Sequence, residues 1–282
     1  MRKRRLILHV LSAAMLIAAL EGCAWFRNVT GARPVAAQQC ALAADASKED
    51  VVEYFNENTR KITSWKTDKA TISTRGKAGI PVRVGATVAV ESPRNFRLIA
   101  HSVVGNEVDL GSNQEQFWFW NKHNEEKYVF LAHHDEPTKF PLPFQPDWII
   151  EALGVIEIDA EDVTMEPGQP GSNVVYLFAN RASSEGHKVR QRTTVDTCRG
   201  VIREHALFDA RGQLIARAVL SGHFRDKDSQ AVLPTRIDLE WPPAQLGMTM
   251  TLAEIEVNPR NVPGRVWTVP HYTGYPVRQL TP

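Results

Sequence analysis

His133-His134-Asp135 is the nearest approach to a metal cluster in this chain, and its spacing works against it. Neighbouring residues on an extended strand point to opposite faces, so two adjacent histidines are poorly placed to share one ion. A solvated strand end is expected there, and no metal. Glu107 and Asp109, two apart on one strand face, have the types of an acid–base pair but read as solvent-facing charges. The chain contains no G-x-S-x-G elbow, Walker A loop, Gly-rich dinucleotide fingerprint or H-E-x-x-H. No residue is marked as catalytic, so neither an enzyme nor a cofactor is expected. A hydrolase would need a nucleophile that no motif announces.

The cysteines carry the remaining chemistry. Arg2-Lys3-Arg4-Arg5 precedes an apolar run from Leu6 to Leu20, and Leu20-Glu21-Gly22-Cys23 closes it. That is the layout of a secretory signal, too short for a comfortable membrane span of roughly 20 apolar residues. The last four residues resemble a bacterial lipobox, whose cysteine thiol takes a diacylglycerol and becomes the new N-terminus. Glu21 departs from the small or β-branched residue usual at its position, and a cleavable signal followed by a chance cysteine is the alternative. Residues 1–22 are therefore expected to be a lipoprotein signal peptide and Cys23 the lipidation site. Ala24 lacks the aspartate that retains such proteins at the inner membrane, so the resemblance implies the outer membrane of a bacterium, periplasmic side.

Removing residues 1–22 takes away four basic residues and Glu21, which moves the formal charge from +1 to −2. No basic field remains for a nucleic acid. Cys40 and Cys198 are then an even pair in an oxidising compartment. A disulfide between them and two unpaired buried thiols both satisfy the sequence.

Residues 23–46 show no sustained period and read as a lipidated tether. Ser47 suits an N-cap, with Asp50 completing a capping box. Val51, Phe55, Asn58, Ile62 and Trp65 then recur at spacings of four and three, predicting one amphipathic helix that ends before Thr67. From Ala70 the period becomes two. Val82–Val90, Phe96–Ala100 and Leu233–Trp241 alternate apolar and polar residues, as strands with one buried face do. Asp209-Ala210-Arg211-Gly212 predicts a hairpin turn, and a phase slip near Ala253 predicts a bulge in the strand from Met248 to Val257. The domain thus covers 47–257. Residues 258–282, rich in proline and glycine, are expected to wrap its surface.

Four segments break the alternation. Phe117-Trp118-Phe119-Trp120 puts bulk on both faces of one strand, and Tyr128–Leu131 and Val174–Phe178 do the same. Pro146 to Leu153 predicts a short helix, opened by proline and closed by Gly154, with more apolar surface than two solvent-facing turns need. A sheet covered on both sides, or a curved sheet around a lidded apolar cavity, would each account for the aromatics.

Three segments resemble the LolA/LolB-type lipoprotein carriers, most closely the outer-membrane LolB members. They are Asn95 to Leu110 as a strand–loop–strand, Pro141-Leu142-Pro143-Phe144 leading into Trp148-Ile149-Ile150 and Leu153-Gly154, and the pair Ile237-Asp238-Leu239 and Met250-Thr251-Leu252. The resemblance implies a mainly β fold, an incomplete antiparallel β-barrel (half-barrel) with an N-terminal helix and a short lid helix. It implies a membrane-anchored, monomeric protein that binds lipid or lipoprotein acyl chains, receives them from a periplasmic carrier protein and inserts them into the outer membrane. Phe96, Leu98, Trp118, Trp120, Phe144, Trp148 and Leu153 are the candidate ligand-binding residues, although the face taken by Trp118 and Trp120 is open. Val104, in the apolar tip Val103-Val104, corresponds by motif to the residue that touches the membrane. A sensor or scaffold lipoprotein using the same fold to bind a partner protein is the alternative.

Overall fold

The computed structural model describes residues 39–75, 81–136, 146–183 and 186–280. The chain divides after Cys40 into two units, and of the first only Gln39 and Cys40 are among the described residues. The signal segment, Cys23, most of the expected tether and Phe144 lie outside them.

In the second unit, α1 (Lys48–Arg60) starts as the sequence predicts. The Ser47 hydroxyl accepts from the Asp50 amide at 3.1 Å and the Asp50 carboxylate accepts from the Ser47 amide at 3.0 Å. The helix ends earlier than the apolar spacing predicts. Ile62 lies in the turn after it and Trp65 on the first strand, β1 (Ser64–Arg75). Both are core residues, but sheet pairing claims them: Ser64 pairs with Glu91 and Trp65 with Val90. The Asn258 side chain, accepting from the Thr63 and Ser64 amides, fixes the chain there.

The remaining strands are β2 (Pro81–Glu91), β3 (Asn95–Ser102), β4 (Gly105–Ser112), β5 (Gln116–Asn121), β6 (Val129–His133), β7 (Val163–Pro167), β8 (Val174–Ala182), β9 (Lys188–Asp196), β10 (Val201–Phe208), β11 (Leu214–Ser221), β12 (Phe224–Arg225), β13 (Val232–Leu233), β14 (Arg236–Trp241), β15 (Leu246–Ala253), β16 (Glu256–Val257) and β17 (Val277–Gln279), with α2 (Pro146–Ala152) between β6 and β7. One sheet runs β17-β6-β5-β4-β3-β2-β1-β15-β14-β11-β10-β9-β8-β7, with β16 also on β1 and β12–β13 a separate ribbon. Neighbours are antiparallel except β17, which lies parallel to β6. The edge strands β7 and β17 do not pair, so the sheet is open, an incomplete barrel with two α-helices among the described residues.

Local expectations hold at the Asp209–Gly212 turn, where Gly212 takes φ +77°. The slip near Ala253 is a strand break: Glu254 adopts φ +51° and separates β15 from β16, which both pair with β1.

The apolar residues form three clusters. On the inner face Trp65, Phe96, Leu98, Phe117, Phe119 and Trp241 pack with Trp148, Ile149, Ile150 and Leu153 of the α2 region. Val51, Val52 and Phe55 of α1 pack on Val163, Leu177, Ala179 and Val195 of β7–β9. On the outer face Trp118, Trp120, Val129 and Leu131 are covered by Val269, Tyr272 and Tyr275 of the C-terminal segment. The four successive aromatics of β5 therefore serve two clusters, because both faces of that strand are covered. Tyr176 and Phe178 have another explanation. They point away from α1 and lie under arginines, with the Arg190 guanidinium 3.8 Å from the Phe178 ring centroid and that of Arg192 5.4 Å from Tyr176.

Residues 41–46, read above as the end of the tether, belong to the domain. The Ala41 and Leu42 amides donate to the carbonyls of Cys198 and Thr197 at 3.0 and 3.1 Å, and Leu42 and Ala46 pack on the α1 cluster. Cys40 and Cys198 are both disulfide-bonded.

Candidate functional site

The lid helix α2 reaches deepest into the concave face. Trp148, Ile150 and Leu153 are at most 3 % exposed, and the Trp65 indole N–H donates to the Leu153 carbonyl at 3.3 Å. Gly154 then takes φ +80°, which lets the chain leave the helix and run back beneath α1. Phe96, Leu98, Trp148 and Leu153 thus come together as the sequence predicts, but they pack against one another in the core. Trp118 and Trp120 do not join them. Strand alternation sends both to the opposite face, where the tail buries them. Trp118 also needs Gly111 opposite it in register, since a Cβ there would lie 2.2 Å from the indole.

The tail overturns a second reading. Asp109, expected to face solvent, is 0 % exposed. Arg97 grips its carboxylate with two N–H groups at 3.1 and 2.7 Å, Trp118 donates to it at 3.2 Å and Tyr272 at 2.7 Å. Burial, with the Asp109 charge beside it, pushes the Tyr272 phenol up to about 12. Glu107 is held by Ser102, His123 and Lys122, and its carboxyl lies below the usual range chiefly through the Ser102 hydroxyl. His134, of the paired histidines, places Nε2 3.1 Å from the Ser112 hydroxyl and 3.0 Å from the Asn113 carbonyl.

One open space lies between α1, the segment after α2, and β10–β13. This partly open cavity of about 250 Å³ has Phe55, Ile156, Ile158, Ile202, Leu220 and Val232 among its walls. Two asparagines of α1 hold those walls in place. Asn56 exchanges both amide hydrogen bonds with the backbone of Ile158, each at 2.8 Å. Asn58 does the same with Val232, at 2.9 and 2.7 Å. A carboxamide matches a peptide group in shape and in donor–acceptor order, so each asparagine splices a non-helical segment onto the helix.

Two of the cavity's polar lining residues are His205 and the half-buried Glu151. His205 is 3 % exposed and its Nδ1 lies 3.0 Å from the Thr193 hydroxyl. Burial holds this imidazole below its ordinary range, against the opposing pull of the Glu151 and Glu204 carboxylates. Gln191 donates to one Glu151 oxygen at 2.8 Å. Sequence reasoning missed this cavity and all four polar residues. Asn58 was the available signal, a polar residue inside an otherwise apolar helical stripe. At the far end of β3, Val103 and Val104 stand wholly and 73 % exposed.

No protein-family model matches the chain, and comparison with curated protein sequences finds no match. Solved structures do resemble it. A putative outer membrane lipoprotein-sorting protein domain from Vibrio parahaemolyticus superposes with a TM-score of 0.54 at 8% identity, covering 78% of this chain and 97% of that one. A DUF1329 family protein from Desulfovibrio piger gives a TM-score of 0.50 at 10% identity, over 77% and 97% of the two chains. At these identities the likeness concerns the fold. That fold is an open antiparallel sheet with few helices, the incomplete half-barrel that the sequence resemblance implies, and it does not single out the LolB members.

Proposed function

We propose that this chain is a lipid-anchored protein of a bacterial envelope that binds an acylated ligand and passes it to a membrane. The observation that carries this reading is the cavity beneath α1, walled in part by Phe55, Ile156, Ile202 and Leu220, a space that a purely structural sheet has no need to keep. Each methylene buried there contributes roughly 0.8 kcal/mol, so binding requires no covalent chemistry. The lipobox at Cys23, the exposed Val103-Val104 tip and the lipoprotein-sorting domain among the similar folds support the reading. On it, the outer membrane is the site of anchorage, a periplasmic carrier the donor, and a lipoprotein the cargo. No helix of the described residues is long and apolar enough to cross a membrane.

Size limits the resting state. At about 250 Å³ the cavity is less than twice the roughly 150 Å³ of a protein cavity that takes up one benzene, room for a short chain segment and not for several acyl chains. A bundle of full-length acyl chains would have to displace α2, whose own side chains fill the concave face. That filling also favours a second reading, a scaffold that binds a partner protein and no lipid. Mass spectrometry of the Cys23→Ala protein, isolated without detergent, separates the two. A co-purifying acyl species is expected, and protein that is lipid-free as isolated and after incubation with lipid would leave the scaffold.

A further inference from the structure

His205 is the polar side chain that the fold neither exposes nor fully employs. It sits on the inner face of β10, paired in register with Thr193 of β9 and Ala218 of β11. Thr193 occupies Nδ1, and among the described residues no hydrogen bond is made by Nε2, which is left for the cavity that His205 lines. Glu151 lines the same cavity, with one of its oxygens bound by Gln191 and its charge felt by the imidazole. An imidazole and a carboxylate at the end of an apolar cavity are expensive if only methylenes meet them, since each loses water and gains nothing. At the cavity's outer edge the charges have the other sign, with Lys61 and Arg225 both exposed.

We propose that the cavity is a site for a single-chain amphiphile of medium length that carries a hydrogen-bonding hydroxyl at its buried end and an acid group at the mouth. The hydroxyl donates to the Glu151 carboxylate and pairs with His205 Nε2, the chain lies along Ile156, Ile202 and Leu220, and the acid meets Lys61 and Arg225. A second carboxylate at the buried end is disfavoured by Glu151, which selects a neutral group there. The neutral imidazole that burial favours suits this role in the tautomer that carries its proton on Nε2: Nδ1 accepts from the Thr193 hydroxyl and Nε2–H donates to the ligand oxygen, whose own proton goes to Glu151. The volume, less than twice the roughly 150 Å³ that holds one six-carbon benzene, suits a chain of about eight to ten carbons. This inference rests on the acyl-binding reading above and adds the identity of the ligand's two ends.

Calorimetric titration of the full chain carrying Cys23→Ala with decanoate and with ω-hydroxydecanoate tests it. The hydroxylated ligand is expected to bind about tenfold more tightly, the worth of a hydrogen bond to a charged partner in a buried site. His205→Phe should erase the difference between the two ligands. Equal binding of both by the unsubstituted cavity would overturn the polar-end assignment and leave acyl binding standing. Binding of neither would remove the site itself. Retention of the full preference in folded His205→Phe would also overturn the proposal, because the imidazole would then have no part in it.

Discussion

The Tyr272 hydroxyl donates to the Asp109 carboxylate at 2.7 Å across 163 residues of sequence, while the Tyr272 ring stacks on Trp120 with centroids 3.7 Å apart. This contact fastens the C-terminal segment to the outer face of the sheet. The phenol is pushed from 10.0 to about 12, so its protonated form is the one the folded state prefers. A raised folded pKa gives stability that is complete below the unfolded value and disappears as pH rises through the folded one. The contribution should therefore be intact below about pH 10 and be lost by about pH 12. Denaturation of the parent protein and of Tyr272→Phe across that range should converge at its alkaline end. A constant gap would show that the phenol does not titrate with folding.

Trp118→Ala should cost about 3–5 kcal/mol, as removal of a packed aromatic does, and leave fatty-acid binding unchanged. Gly111→Ala should act in the same direction, because its new methyl group collides with the Trp118 ring. Chemical denaturation together with ligand titration checks both. Loss of binding without loss of stability would return Trp118 to the ligand site.

Asn56→Ala removes both hydrogen bonds to the Ile158 backbone and leaves that peptide group poorly solvated. A loss of about 2–4 kcal/mol is expected. Faster amide hydrogen exchange should appear in 154–158 before it appears in the sheet. Uniform acceleration throughout the domain would mean that Asn56 does not act on the cavity wall in particular.

Val104→Glu should leave melting and ligand uptake unaltered, since the side chain is largely in water already. It should slow ligand transfer to liposomes, because a charge resists entry into the acyl region. Transfer at the parent rate would exclude this tip as the delivery element.

Cys23→Ala should shift the protein from the membrane fraction to the soluble envelope fraction. Acyl mass absent from the N-terminal peptide of the parent protein, combined with unchanged fractionation of the variant, would discard the lipidation reading.

The alternation of Ala86, Val88 and Val90 and of Phe96, Leu98 and Ala100 revealed the sheet because each pair of neighbours divides between a covered and an open face. The same rule could not place Trp118. Its environment depends on a segment some 150 residues later, whose proline- and glycine-rich composition suggests only that it is not a strand or helix. Asp109 was misread for the same reason: its partners Arg97, Trp118 and Tyr272 meet only when sheet and tail are both in place. Trp65 illustrates the opposite error, in which a periodic apolar spacing persisted past the helix by accident and strand pairing with Val90 decided the outcome. The cavity was invisible because its lining comes from α1, the α2 exit and the β10–β13 region, none of which is unusual alone.

The position of Ala41 bears on orientation. Its amide binds the Cys198 carbonyl in the turn before β10, whereas β10 ends at Phe208 on the opposite rim. Pairing carries that opposite rim through Trp241 and Leu246 to the end of β1 and then to the end of β3, where Val103 and Val104 project. The chain enters at one rim and its apolar tip leaves from the other, at least the eight residues of β3 away, about 26 Å at the usual rise per residue. Between Cys23 and Cys40 the backbone can span no more than roughly 60 Å. A lipid at Cys23 would therefore join the domain at the rim away from Val104, on a tether whose full reach exceeds the separation of the two rims.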